Sequence, residues 1–175
     1  PNRVGWARDF FAGYVESVLQ IKLRTSDPQV EDYLSNMLEK FMRTDVLQGI
    51  RTPTGERLQY VSHMLIEADA RIGPSKFKTL SHIGDYILFF KGFMPELAER
   101  MQKQGPDNLI NYVKQGKRAY NLVADHAPEE LNVDRELFSR LSDQFELWAY
   151  SLTEIKRDMI QDENPEAPII FGNVA

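Results

Sequence analysis

The sequence predicts a single all-α domain, a bundle of about six antiparallel helices with the fourth running through its centre. Three observations predict it. Apolar residues recur at three- and four-residue steps along most of the chain, and no stretch shows the strict alternation of a strand. Proline, glycine or Asp/Asn signals fall between the periodic segments. Residues 1–161 are the expected helical domain and 162–175 a non-helical tail.

Trp6, Phe10, Tyr14 and Val18, flanked by Phe11, Val15 and Leu19, define a first helix from Trp6 to Leu23 with a wide aromatic stripe. That stripe is expected to be heavily buried core rather than a cofactor box. Ser26-Asp27-Pro28 is a start signal, a capping oxygen ahead of proline at the first helical position. Val30, Tyr33, Leu34, Met37, Leu38, Phe41 and Met42 then mark one face of a second helix ending near Arg43. Residues 44–55, with Gly49, Pro53 and Gly55, read as a loop.

Leu58, Val61, Leu65, Ala68 and Ile72 give a third helix that stops at Gly73-Pro74. Ser75 is expected to cap the fourth. Ser81–Glu96, SHIGDYILFFKGFMPE, has almost no polar face, so it is expected inside the fold. Gly92 and Pro95 predict a kink or corner there, followed by a short helix to Lys103. Asp107 is expected to cap a fifth helix with Leu109, Tyr112, Val113, Gly116, Tyr120 and Val123 inward, ending near Asp125. The sixth helix, opening at Asn132 or Asp134, carries Leu137, Leu141, Phe145, Trp148, Leu152, Ile155 and Met159. That spacing is close to a heptad seam and suits either the bundle core or a homodimer coiled coil, with the core favoured.

With a formal charge of −5 and Lys and Arg spread along the chain, no concentrated basic face points to nucleic acid. There are no cysteines, which excludes disulfides, thiol catalysis and thiolate metal sites. The apolar run Ile87–Phe90 falls far short of the ~20 residues a spanning helix needs, so no membrane segment is expected. The N-terminal PNRVGWARD lacks a signal-peptide layout, and a cytoplasmic location is the expectation.

Three blocks, VEDYLSNMLEKFM (Val30–Met42), HIGDYILFFKGFMPE (His82–Glu96) and YVKQGKRAYNLVA (Tyr112–Ala124), resemble an uncharacterised group of bacterial all-helical proteins. The shared pattern sits at Gly84-Asp85, Leu88-Phe89, Gly92-Phe93, Tyr112, Gly116 and Ala119-Tyr120. Lys117 stands where the group's pattern has a second glycine. The resemblance spans residues 30–155 and implies the helical fold, but no activity.

Asp85 is the candidate site. An unpaired carboxylate buried in an apolar helix costs several kcal/mol or neutralises itself, so it must find partners. His82 shares its face at i−3, and Tyr112, Lys117, Arg118 and Tyr120 are offered by the fifth helix. Gly84, Gly92 and Gly116 each cost ~1 kcal/mol of helix stability unless close helix packing uses their missing side chain. A structural network of His82, Asp85, Tyr112, Lys117 and Tyr120 is favoured over a ligand pocket.

No metal is predicted. His63, His82 and His126 lie on separate segments, and neither a Glu-x-x-His nor a His-x-x-x-His spacing occurs. His63 reads as a half-exposed surface residue and His126 as a helix C-terminal histidine favoured by the dipole. No serine-elbow or phosphate-loop motif is present.

The leading functional expectation is a non-catalytic bundle acting through protein contacts, with self-association through the sixth helix or the C-terminal tail. The alternative is a small-ligand or cofactor-binding bundle, or an enzyme pairing Asp85 with His82, with its pocket between the fourth and fifth helices. No particular cofactor is predicted.

Overall fold

A computed structural model describes residues 3–41 and 59–162, and among them the chain forms eight α-helices and no strand. In order these are α1 (Arg3–Glu16), α2 (Pro28–Phe41), α3 (Val61–Ala70), α4 (Gly73–Phe93), α5 (Pro95–Lys103), α6 (Tyr112–His126), α7 (Arg135–Asp143) and α8 (Phe145–Gln161). A π-helical turn, Ser17–Lys22, follows α1, and short 3₁₀ turns precede α6 and α7. The loop read over 44–55, Leu58 and the tail 163–175 lie outside the described residues. No described helix is long and apolar enough to cross a membrane.

Two breaks turn the six expected helices into eight. Pro95 cannot donate its amide to the preceding turn, so α4 stops at Phe93 and Pro95 becomes the first residue of α5. Met94, at φ −135° and ψ 59°, makes the corner. The expected sixth helix divides at Gln144, at φ −111° and ψ 29°. Even so, Leu141, Phe145, Trp148, Leu152, Ile155 and Met159 are all buried. These six positions of the heptad-like seam therefore serve the core of the chain itself.

Several boundaries differ from expectation. α4 begins at Gly73, not at a Ser75 cap, because Gly73 takes a positive φ of 59° that turns the chain directly into Pro74. Ile72, expected on the stripe of α3, is extended and 87% exposed. Leu109, expected inward, is 92% exposed on a 3₁₀ turn, and α6 starts after Asn111, whose side chain accepts from the Lys114 amide at 3.0 Å. On α1, Phe11 and Val15 are buried but Phe10 and Tyr14 only partly so. The Asp27 cap is formed: its Oδ1 accepts from the Val30 amide at 3.2 Å, while Arg140 grips the same carboxylate at 2.8 Å.

One apolar cluster draws on all eight helices. Within it α4 packs against α2, α3, α5, α6 and α8. Its position follows from composition, since Ile83, Ile87, Leu88, Phe89 and Phe93 leave no side of the helix for water.

Gly84, Gly92 and Gly116 mark close helix approaches, Gly84 at the α4–α6 seam and the other two against α8. A Cβ on Gly84 would sit 2.5 Å from the Tyr120 ring of α6, and one on Gly116 would sit 2.5 Å from the Phe145 ring of α8. At Gly92 the obstacle is backbone, the Ala149 carbonyl of α8 at 2.7 Å. A carbonyl fixed in a helix cannot rotate away as a side chain can. Gly92→Ala is therefore expected to cost about 1–3 kcal/mol through forced helix separation, read as a lower denaturation midpoint with an unchanged m-value.

Candidate functional site

Asp85 lies in the middle of α4 and is 6% exposed. Its Oδ1 accepts from two phenols, Tyr33 of α2 at 2.5 Å and Tyr120 of α6 at 2.7 Å. Its Oδ2 faces the Lys40 ammonium of α2 at 3.8 Å. The Tyr33 and Tyr120 rings meet edge-on at 6.4 Å, and Phe138 of α7 packs against both at 5.8 Å. One carboxylate thus joins α2, α4 and α6, with α7 closing over the aromatic pair.

The local sequence explains how these groups converge. Tyr33 and Lys40 are seven residues apart, two turns along one face of α2, so both reach the same point on α4. Gly84 clears the space beside Asp85, and the Tyr120 ring fills it while its hydroxyl reaches the carboxylate. Burial raises the Asp85 pKa above the usual carboxylate range, and Lys40 and the two hydroxyls pull it back. Burial, with the neighbouring Asp85 charge, drives both phenols well above the ordinary tyrosine value.

His82, one turn before Asp85, stacks on Phe41 at 5.8 Å and lies 6.2 Å from the Tyr86 ring. Its Nε2 is buried without a hydrogen-bond partner among the described residues. Burial first, and the Lys40 charge second, lower its pKa to about 4. The imidazole is neutral at pH 7.

Two of the residues expected around Asp85 are elsewhere. Tyr112 donates instead to Asp107 Oδ2 at 2.5 Å, because it opens α6 at the end away from Tyr120. Lys117 reaches outward to Glu146, 3.0 Å away, and both are substantially exposed. Of the expected set, His82, Asp85 and Tyr120 are brought together, and Tyr33 and Lys40 complete the cluster. The signal for those two was the i, i+7 spacing of a phenol and a cation on a helix otherwise apolar on that face.

Asp107 forms a second buried carboxylate centre and is fully enclosed. It does not cap its own helix. Its oxygens accept from the Val61 and Ser62 amides at 2.9 Å each, so it caps α3 from a distant turn. The sequence signal was an absence: Gln59 and Tyr60 precede α3, neither is a capping residue, and Tyr60 makes no side-chain cap. Nearby, Tyr86 donates to the Gln59 carbonyl at 2.9 Å, and His63 is exposed with its ring edge-on to Tyr60.

His126 is exposed at the last residue of α6. Among the described residues, no three His, Asp or Glu side chains gather in a way that could hold a metal ion. Comparison with family models, with curated proteins and with solved structures returns no match.

If the hydroxyls serve the carboxylate, Asp85→Asn is expected to lower unfolding free energy by about 1–3 kcal/mol, and Tyr120→Phe by about 1–2 kcal/mol. The double variant should lose less than the sum, measured by urea denaturation as a coupling energy. Additive losses would mean that the two groups do not act together.

His82 makes a separate pH prediction. Its folded pKa of about 4 lies below the ordinary 6.5, so the unfolded chain binds the proton more readily. Stability from this group is complete above pH 6.5 and falls as pH drops toward 4. Asp85, shifted up, acts with the opposite sign and favours the folded state as pH falls through its raised value. The difference between wild type and His82→Phe, which keeps a ring on Phe41, isolates the histidine. Wild type should lose on the order of 2–3 kcal/mol more than the variant between pH 7 and 4.

Proposed function

We propose that this chain is a non-catalytic helical bundle that works through protein contacts, with the Asp85 cluster as an internal clamp. The supporting observation is the occupancy of Asp85. Both carboxylate oxygens have partners on α2 and α6, and the space beside Gly84 is filled by the Tyr120 ring. A group so engaged holds helices in one register.

The outer surface offers contact points instead. Ile66 is 68% exposed on α3, and Ile72 and Leu109 stand on the segments that adjoin its two ends. Among the described residues, α3 packs chiefly on α4. Exposed aliphatic side chains grouped around one helix suit an interface.

A small-ligand site at the same cluster is the second reading. His82 favours it, because a buried Nε2 without a partner among the described residues is a hydrogen-bond position that a ligand could use.

The two readings separate on one pair of variants. Ile66→Glu with Ile72→Glu is expected to leave the denaturation midpoint nearly unchanged, as surface changes do, and to abolish co-purification of the cellular partner. Asp85→Asn, assayed where it remains folded by circular dichroism, should keep that partner. If Asp85→Asn instead abolishes heat release on titration with a small molecule while the chain stays folded, the cluster is a ligand site and the clamp reading fails.

A further inference from the structure

We infer that α3 is a hinged strap, latched at its N-terminal end by Asp107, that lifts off α4 as a unit while the rest of the bundle stays folded. Lifting uncovers Val61, Met64 and Ala68 together with the side of α4 they cover, an apolar surface that the closed chain hides. The inference goes beyond the protein-contact reading and does not depend on it.

The hinge lies at the C-terminal end of α3. Arg71 and Ile72, both extended, join it to α4, and Gly73 turns the chain at a φ of 59°. The joint is uncluttered: Ile72 is exposed, and a Cβ on Gly73 would meet nothing within 4 Å among the described residues. Arg71 holds the pivot in place, its Nη1 donating to Thr79 Oγ1 of α4 at 2.7 Å.

The latch lies at the other end and is concentrated in four residues. Asp107 accepts from the Val61 and Ser62 amides, and Tyr86 of α4 donates to the Gln59 carbonyl. These bonds break together when α3 lifts, since all of them fall within residues 59–62. Asp107 itself is fixed to the body of the bundle, because Tyr112, the first residue of α6, donates to its Oδ2. The Ser62 hydroxyl favours release. Its Oγ is buried with no hydrogen-bond partner among the described residues, and it gains water when the strap opens.

Between hinge and latch the hold is light. Among the described residues, α3 packs chiefly on α4 and on the 3₁₀ turn Pro106–Leu109. Its buried side chains are Val61, Met64 and Ala68, a smaller apolar set than Phe145, Trp148, Leu152, Ile155 and Met159 of α8. A ten-residue helix without a side-chain cap of its own is marginal once detached, so α3 depends on the latch to stay formed and docked.

Native-state hydrogen exchange of the full chain tests this. In the wild type, the Leu65–Ala70 amides are expected to share one opening equilibrium, with protection about a hundredfold below that of the α8 amides. Asp107→Ala should lower α3 protection about tenfold, and Asp107→Asn, which keeps one acceptor oxygen, about threefold. Tyr120→Phe separates a strap from global unfolding. Its site on α6 stays packed when α3 lifts, so it should lower α8 protection about tenfold and leave α3 protection within twofold of wild type. Equal protection of α3 and α8 in the wild type, a loss at α3 in Tyr120→Phe as large as that at α8, or unchanged α3 protection in either Asp107 variant would overturn the inference.

Discussion

The arrangement depends on one ionisable group taken out of water, the Asp85 carboxylate. An apolar helix such as α4 could rotate or slide among apolar neighbours at modest cost, since one greasy face resembles another. A buried carboxylate removes that freedom, because leaving it unanswered costs several kcal/mol. Only one rotation of α4 presents Asp85 to Tyr33 and Lys40 on α2 and to Tyr120 on α6. Gly84 belongs to the same constraint. Its missing side chain lets the Tyr120 ring lie against α4, and without that approach the hydroxyl would fall short of the carboxylate.

Asp107 solves the same problem with different partners. It is answered by two backbone amides and a phenol, whereas Asp85 is answered by two phenols and an ammonium. Both carboxylates connect elements far apart in sequence, and both recruit a tyrosine of α6, at its first residue and at its middle. α6 is thereby anchored at two heights, once to the α2–α4 pair and once through Asp107 to the start of α3. The two centres differ in what they do for the fold. Asp85 fixes the register of helices already brought together by apolar burial. Asp107 supplies the N-terminal cap that the local sequence of α3 lacks, so it contributes to forming that helix as well as placing it.

Much of this was legible in the sequence, and the residues that were not share a cause. Periodicity places α2, α4, α6 and α8 because their stripes are long, and the Gly92–Pro95 corner follows from proline chemistry alone. The burial of Asp85 follows from its neighbours, and Tyr120 from the pattern of α6. Tyr112 and Lys117 were assigned to Asp85 because they share a helix with Tyr120. That argument fixes which face a side chain takes, not the height at which it meets another helix. Lys40 was hidden by its own exposure, since its stem leaves α2 at the surface and only its ammonium turns toward Asp85. Asp107 sits after Gly105-Pro106, where a cap for the following helix is the ordinary reading. Its true partner lies 46 residues upstream, and nothing local specifies that.

The protonation states of the Asp85 cluster bear on what it can do. His82 is held neutral by burial and by the nearby ammonium, with its pKa near 4, and the two phenols are held protonated far above neutrality. None of these three exchanges a proton readily at pH 7, where a general acid or base works best. The Lys40 charge that makes His82 hard to protonate also favours the ionised form of Asp85. One cation therefore stabilises an anion on one side and suppresses a cation on the other. His82 and the two phenols therefore each keep one protonation state across the neutral range. The sensitivity of His82 appears only on acidification, when it gains a proton beside Lys40 and within the stack on Phe41 that holds the end of α2 against α4.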